Sequence, residues 1–293
     1  MLMNRWDRGL LAADQAEFIA GRCPSVVLVE DLSWGLTDTR VLHAEANGQA
    51  IIVKAAGRRN KHIGREITGR EHAPVAFLDR GTVGEVLAAD RELNVVAVDY
   101  LEGQLVEGTD AEYDPGVHRQ AGALLAEIHR QPVPESMDSP DYESRMTAKT
   151  LALLDRDHRI SANTVRAVRQ VLAASARRAA QVAPARRVPT HGDWQPRNWL
   201  IDGGTVKIID FGRFDVRSAE SDLGRLAVQQ WRGRPDLEQA FLEGYGSDPR
   251  DPCTWAVNQV REAVGTAVWA REVGDRAFEH QGHRMLAEAL ELY

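Results

Sequence analysis

The chain has 293 residues, 43% of them apolar, and its 36 Lys and Arg against 43 Asp and Glu leave a formal net charge of −7. That length exceeds one typical domain of about 100–200 residues, so two lobes or two domains are expected. The acidic balance argues against a nucleic-acid binder, which carries a basic stripe, and no apolar run approaches the ~20 residues of a membrane span.

Met1 to Gln15 holds Asp7 and Asp14 and lacks the apolar core of a signal peptide, so a cytoplasmic protein is expected. Cys23 and Cys253, the only cysteines, suit a reducing compartment as buried free thiols. Strand-like runs follow. Val26–Val29 and Thr39–Ala44 flank a turn at Trp34-Gly35-Leu36. Asn47-Gly48 is hairpin chemistry, because both residues tolerate positive φ. It leads into Ala50-Ile51-Ile52-Val53-Lys54, an apolar strand that ends on a charge. A polar loop from Gly57 to Lys61 precedes a helical stretch carrying Glu66 and Glu71. Val86–Asp90 and Asn94–Val98 read as another strand pair, closed by Asp99-Tyr100-Leu101-Glu102-Gly103 with a hinge-like glycine.

From about Asp114 the pattern is mostly helical. Pro115 to His129 carries Val117, Ala121, Leu124, Leu125 and Ile128 at helical spacing. Pro132, Pro134 and Pro140 mark a loop region. Further helices are expected at about 161–183, 219–232, 236–245, 254–273 and 276–291. The arginines from Arg166 to Arg187 suit the solvated face of a helix. Two strands stand out in this half, Trp199–Ile201 and Val206–Ile209, joined by Asp202-Gly203-Gly204. Acids outnumber bases from Asp236 to Tyr293, which would steer a cationic ligand or merely solvate a helical surface.

The most informative residues are His191-Gly192-Asp193, Asn198 and Asp210-Phe211-Gly212. An Asp and an Asn five residues apart can share one loop, and a short apolar strand carries a second Asp back to it. That geometry holds magnesium on a nucleotide and aims a hydroxyl at its terminal phosphate. Asp193 is the candidate catalytic residue, accepting or orienting the hydroxyl proton. Asn198 and Asp210 are hard oxygen ligands suited to Mg²⁺. Lys54, alone at the end of an Ile and Val strand, needs a partner or a ligand.

These motifs resemble the aminoglycoside-phosphotransferase-type family, a branch of the protein-kinase-like superfamily that includes choline and homoserine kinases. In that family His-Gly-Asp-x-x-x-x-Asn replaces the protein kinase His-Arg-Asp-x-x-x-x-Asn. Gly192 stands at the Arg position, and Gln195 stands where protein kinases carry Lys; both departures point to small-molecule substrates. The resemblance runs from about residue 25 to about 245. It implies an α+β, protein-kinase-like two-lobe fold: a small antiparallel-sheet N-lobe at 1–101 that binds nucleotide, and a larger, mainly helical C-lobe at 102–293 with the catalytic loop and the acceptor site.

By the same resemblance Lys54 contacts the α- and β-phosphates and pairs with a helix glutamate. Glu66 is favoured, within His62-Ile63-Gly64-Arg65-Glu66-Ile67, although Glu71 has the more usual distance. Ser33, Gly35 and Thr37 belong to a degraded phosphate loop that alone reads as a hairpin turn. The Asp99 carbonyl and the Leu101 amide are placed at the adenine edge. His191 supports the loop, Asp222 braces it, and Arg213 is open between phosphate, Asp193 and a structural ion pair. His129 reads as a core histidine.

The function expected is transfer of the γ-phosphoryl of ATP or GTP, with Mg²⁺, to a hydroxyl of a small molecule. An antibiotic, aminoglycoside-like or other, is the leading acceptor class, which would make the chain a resistance enzyme. The alternative is a metabolic kinase for choline, homoserine, a sugar or a ketoamine. A second alternative is an inactive nucleotide-binding pseudokinase, against which Lys54, Asp193, Asn198 and Asp210 argue. Nucleotide and small alcohol are the expected partners, without nucleic acid or membrane, in a monomer or homodimer.

Overall fold

Five antiparallel strands form one sheet in the order β1-β2-β3-β5-β4: β1 Val27–Asp31, β2 Arg40–Ala46, β3 Gln49–Ala55, β4 Val86–Asp90 and β5 Val95–Asp99. The computed structural model describes residues 5–35, 38–133, 142–179 and 187–292, the side chains of Ala179 and Cys253 excepted. The chain divides into two units. One is Met1–Gln131 with His191–Asp215 and Asp236–Gly246, and the other is Pro132–Thr190 with Val216–Pro235 and Ser247–Tyr293. The boundary expected at residue 101 falls inside the first unit.

In the first unit the hairpin between β2 and β3 turns at Asn47 and Gly48, with φ of +52° and +79°. Strand alternation then sorts the side chains by face. Ile51, Val53 and Ala55 of β3, with Val95 and Ala97 of β5, join a core with Ile19 and Ala16 of helix α1 (Ala13–Arg22). The opposite face carries Val96 and Val98 against Ile63 and Ile67 of helix α2 (His62–Glu71), with Ile52 packed beside them. Lys54 follows Ile52 by two residues and so faces α2. Gln15 ties α1 to the sheet, donating from Nε2 to the carbonyls of Ala56 (2.9 Å) and Leu93 (2.8 Å). A short helix α3, Val75–Asp79, follows α2.

Helix α4, Pro115–His129, opens on Asp114, whose side chain accepts from the amides of Gly116 and Val117, with Pro115 at the first turn. Its His129 Nδ1 lies 2.8 Å from the Tyr245 hydroxyl of helix α8 (Pro235–Tyr245), a buried contact consistent with a core histidine. The short strand β6, Gln104–Leu105, pairs with β8, Trp199–Asp202, which pairs with β9, Thr205–Ile208. Gly203 and Gly204 turn the β8–β9 hairpin at φ of +53° and +84°.

The second unit holds helices α5 (Tyr142–Leu153), α6 (Ala162–Ala179), α9 (Pro252–Val273) and α10 (Arg276–Glu291) around a core that includes Val168, Leu172, Val260, Val264, Val268 and Leu286. Arg261 of α9 donates to Glu143 Oε2 of α5 at 2.7 Å and to Thr147 Oγ1 at 2.9 Å. Of the acid-rich C-terminal stretch, Asp248, Glu262, Glu272, Glu279 and Glu288 each pair with an arginine of this unit, and Glu243 pairs with Arg119 of the first. Among the described residues no helix is long and apolar enough to cross a membrane.

The antiparallel sheet early in the chain and the helices later make the α+β fold that was expected. Several elements differ from the sequence reading. Helices α1, α3 and α5 were not expected. Strands β7, Arg187–Thr190, and β10, Asp215–Ser218, which begins at the unit boundary, pair as a two-stranded sheet. Arg187 is therefore in a strand, while Arg166 to Arg178 lie on α6. The expected helix at 219–232 is a 3-10 turn at Ala219–Asp222 followed by a one-turn helix α7, Gly224–Val228.

Candidate active site

The loop at 191–198 is built around His191. Its ring is fully buried, with Nε2 3.1 Å from the carbonyl of Ile209 and Nδ1 accepting from the Asp193 amide at 3.3 Å. That pairing assigns the proton to Nε2. The ring also lies 4.9 Å from Phe211 and 5.2 Å from Trp194, centroid to centroid. His191 thus binds the loop to the segment that carries Asp210, a structural role. Gly192 sits at φ +83°, a conformation that favours glycine.

Asp193 is 3% exposed, and its carboxylate accepts from side chains of the loop. Its Oδ1 accepts from Gln195 Nε2 at 2.6 Å. Its Oδ2 accepts from Arg197 Nη2 at 2.6 Å and from Asn198 Nδ2 at 3.2 Å, with Arg213 Nε 4.0 Å away. Asn198 closes a 3-10 turn, Pro196–Asn198, and also donates from Nδ2 to the Asp193 carbonyl at 2.8 Å. With the amide nitrogen committed, its Oδ1 is left as an acceptor. The Ile209 amide bonds to the Asn198 carbonyl at 3.0 Å, so the β8–β9 hairpin returns Asp210 to the loop.

Asp210 stands at φ +65°, a strained conformation for a residue with a Cβ. Lys54 Nζ meets Asp210 Oδ1 at 2.8 Å and Glu66 Oε2 at 3.2 Å. Burial pushes the Asp210 carboxyl up, but the Lys54 charge and hydrogen bond, with His191 and the Gly212 amide, hold it well below the usual carboxylate range. Burial likewise disfavours the Lys54 ammonium, yet Asp210 and Glu66 outweigh it and raise its pKa. Lys54 is therefore a fixed cation.

Helix α2 is tied along its length to the 210–215 segment. His62 Nδ1 lies 2.9 Å from the Gly212 carbonyl, and Arg65 pairs with Asp215 at 3.2 Å. Gly69 sits so close to this segment that a Cβ there would stand 2.7 Å from Phe211 Cβ and 2.9 Å from Phe214 Cβ. Glu66 is 1% exposed; Glu71 is on the outer side of the helix and pairs with Arg91 at 2.6 Å. Of the two candidates, the structure places Glu66 beside Lys54.

The remaining expected residues are placed as follows. Ser33 Oγ accepts from the Val41 amide at 3.0 Å, and the Ser33 hydroxyl and amide hold the Asp31 carboxyl below its usual range. Gly35 has φ +76°, while Thr37 lies outside the described residues. The Asp99 side chain accepts from Gln49 Nε2 at 2.6 Å, and its carbonyl faces Gly84, where a Cβ would stand 2.6 Å from it. Leu101 is half-buried directly after Tyr100, whose ring stacks on His43 at 4.5 Å. Asp222 is buried in the second unit.

Two arginines were missed by the sequence reading. Arg70, 8% exposed, donates from Nε to Glu66 Oε1 at 2.7 Å and from Nη1 to the Gly84 carbonyl at 2.7 Å, and lies over the Phe211 ring at 5.6 Å. Its spacing, four residues after Glu66 on the face of Ile63 and Ile67, was the available signal. Arg197, on Asp193, had none beyond its place inside the motif. Among the described residues no group of three or more His, Cys, Asp or Glu could hold a metal. Asn198 and Asp210 remain as one neutral and one charged oxygen donor, a set that suits an ion sharing its shell with nucleotide phosphates.

A cation fixed between two carboxylates, and a buried Asp sharing a loop with an Asn, define a kinase-like phosphotransferase. The sequence matches the Phosphotransferase enzyme family over residues 32–255, and the chain belongs to that family. It is a nucleotide-dependent small-molecule phosphotransferase with an alcohol group as acceptor. No curated protein matches the sequence. Solved structures share the fold at low identity. Spectinomycin phosphotransferase APH(9)-Ia, in complex with ADP and spectinomycin, is 14% identical with a TM-score of 0.61, covering 94% of this chain and 97% of that one. A thermostable mutant of aminoglycoside phosphotransferase APH(4)-Ia is 16% identical with a TM-score of 0.69, covering 94% and 98%. Choline kinase LicA from Streptococcus pneumoniae is 16% identical with a TM-score of 0.65, covering 94% and 97%.

Proposed function

We propose that this chain transfers the γ-phosphoryl of ATP or GTP to a hydroxyl of an antibiotic, as a cytoplasmic resistance enzyme. In this reading 1–101 serves as a nucleotide-binding lobe and 102–293 as the lobe that carries the catalytic loop and takes the acceptor. The observation that carries the phosphotransfer chemistry is the Lys54 ammonium held between Glu66 and Asp210, at 3.2 and 2.8 Å. The antibiotic class is supported by the folds shared with spectinomycin phosphotransferase APH(9)-Ia and with aminoglycoside phosphotransferase APH(4)-Ia, the latter also seen in complex with ADP and hygromycin B.

Each residue has a task that its contacts suit. Lys54 holds the nucleotide's phosphates while Glu66 keeps its ammonium in place. Ser33 and Gly35 serve the phosphates, and Asp99 and Leu101 flank the base. Asn198 Oδ1 and the Asp210 carboxylate would hold Mg²⁺, which supplies charge neutralisation on the phosphate oxygens. Asp193 takes the proton of the acceptor hydroxyl, with its carboxylate oriented by Gln195, Arg197 and Asn198. Phosphoryl transfer asks mostly for such positioning.

A metabolic acceptor is the second reading, favoured by the choline kinase fold match at comparable TM-score. The acid-rich C-terminal stretch does not decide between them, since so many of its carboxylates already face arginines. Mg-ATP and Mg-GTP are to be tested against a panel of aminoglycosides, other antibiotics, choline, homoserine and sugars, with phosphorylated product identified by mass. A product only from a metabolic alcohol replaces the antibiotic reading. No product and no nucleotide turnover, with nucleotide still bound, would make the chain a pseudokinase.

A further inference from the structure

We propose that Arg197 is a catalytic residue: its guanidinium follows the negative charge from Asp193 to the phosphoryl group in transit. This rests on the reading of Asp193 as the group that faces the acceptor hydroxyl. Arg197 Nη2 lies 2.6 Å from Asp193 Oδ2, yet the arginine side chain is 33% exposed while that of Asp193 is 2% exposed. The pair therefore stands with its carboxylate inside the loop and its cation at the surface. A guanidinium carries five N–H donors in a planar fork. Arg197 spends one on Asp193; the Glu107 carboxylate lies near enough to feel its charge, and the other donors of the fork are not committed by a hydrogen bond among the described residues.

The neighbouring groups leave this task to Arg197. Gln195 is neutral, 3% exposed, and committed to Asp193 Oδ1 at 2.6 Å. Lys54, between Glu66 and Asp210, is taken up with the phosphates of the nucleotide as bound in the proposed function. Arg213 comes no closer to Asp193 than 4.0 Å, beyond hydrogen-bond reach.

In the transfer step the acceptor oxygen forms a bond to the γ-phosphorus as the bond from that phosphorus to the β–γ bridging oxygen breaks. The nucleoside diphosphate leaves with the electron pair. The hydroxyl proton passes to a carboxylate oxygen of Asp193, which becomes neutral, so the attraction that held Arg197 on Oδ2 weakens as the proton arrives. The phosphoryl oxygens keep their charge, and the unused N–H donors of the same fork can take them without the arginine leaving the loop. A donor that strengthens in the transition state raises kcat more than it lowers the KM for nucleotide.

The test compares wild type, Arg197→Ala, Arg197→Lys and Asp193→Asn. The readout is nucleoside diphosphate release from Mg-ATP and Mg-GTP, with the best acceptor of the panel and with water alone. Nucleotide binding is titrated separately. Arg197→Ala is expected to lower kcat about 10²-fold, in the range of losing one transition-state donor, while its nucleotide Kd stays within about threefold of wild type. Guanidinium ion at concentrations that leave the fold intact restores part of the Arg197→Ala rate, equimolar urea does not, and Arg197→Lys retains an intermediate rate.

The proposal is overturned if Arg197→Ala turns over like wild type. It is also overturned if the lost rate is recovered by neither guanidinium ion nor Lys, since a structural strut behaves that way. If Arg197→Ala does not fold, Arg197→Gln takes its place under the same rescue. An inactive Asp193→Asn beside a normal Arg197→Ala removes only the role of Arg197. An active Asp193→Asn removes the reading of Asp193 on which it stands.

Discussion

Glu66 divides its carboxylate between two cations: Oε2 meets Lys54 at 3.2 Å and Oε1 meets Arg70 at 2.7 Å. Arg70 is itself fixed by the Gly84 carbonyl and the Phe211 ring. The glutamate therefore cannot turn away from Lys54 without leaving Arg70 buried and unpaired. One helix residue thus couples the strand that carries Lys54 to the segment that carries Asp210.

Glu66→Gln is accordingly expected to raise the KM for nucleotide well above that of Glu71→Gln, and to destabilise the fold by about 3 kcal/mol because it leaves buried charge unpaired. Glu71→Gln removes an exposed pair with Arg91, worth at most about 1 kcal/mol. Nucleotide KM and urea midpoints of the two variants check this. A larger KM defect in Glu71→Gln reverses the assignment.

Two glycines of α2 are expected to respond in opposite directions to alanine. At Gly64 a Cβ meets nothing within 4 Å, so Gly64→Ala should stabilise by up to about 1 kcal/mol through helix propensity. At Gly69 it meets Phe211 and Phe214 at under 3 Å, so Gly69→Ala should destabilise by about 1–3 kcal/mol and weaken nucleotide binding by displacing the Asp210 segment. Denaturation midpoints and nucleotide titrations decide. A neutral Gly69→Ala would mean that the helix moves freely off that segment.

Asp193→Ala should lower turnover by at least about 10²-fold with little change in nucleotide affinity, as expected of a positioned proton acceptor. The check is kcat on the best acceptor beside a nucleotide titration. Wild-type turnover in the variant would move the proton acceptor elsewhere.

Asn198→Ala and Asp210→Asn should each shift nucleotide-induced thermal stabilisation to higher Mg²⁺, since each removes an oxygen ligand or its charge. Asp210→Asn should have the larger effect, because it also takes a carboxylate from Lys54. Mg²⁺ midpoints identical to wild type in both variants place the metal elsewhere.

Much of this was legible in the chain. The spacing of Asp193, Asn198 and Asp210 located the loop and the strand that returns to it, because a hairpin at Gly203 and Gly204 is local chemistry. Alternation in β3 already turned Lys54 toward the face of Ile52, away from Val53. The choice of Glu66 was also encoded in part: Ile63, Glu66, Ile67 and Arg70 recur at i, i+3, i+4 and i+7. Glu71, five residues after Glu66, turns about 140° from that face. Distance in sequence, which spoke for Glu71, says nothing about the face of a helix.

The sequence by itself determined the antiparallel sheet, the long helices and the family, and it named the candidate residues for the chemistry. These follow from turn residues, apolar periodicity and motif spacing, all of which act over a few positions. Only the tertiary structure decided that Glu66 serves two cations, that Arg197 sits on Asp193, and that strand β7 pairs with β10. Helix α5, tied to α9 by Arg261 and Glu143, also belongs to that set. The physical reason is reach. The ion pair between Lys54 and Asp210 joins residues 156 apart in the chain, and no local pattern records which side chains such a closure brings together.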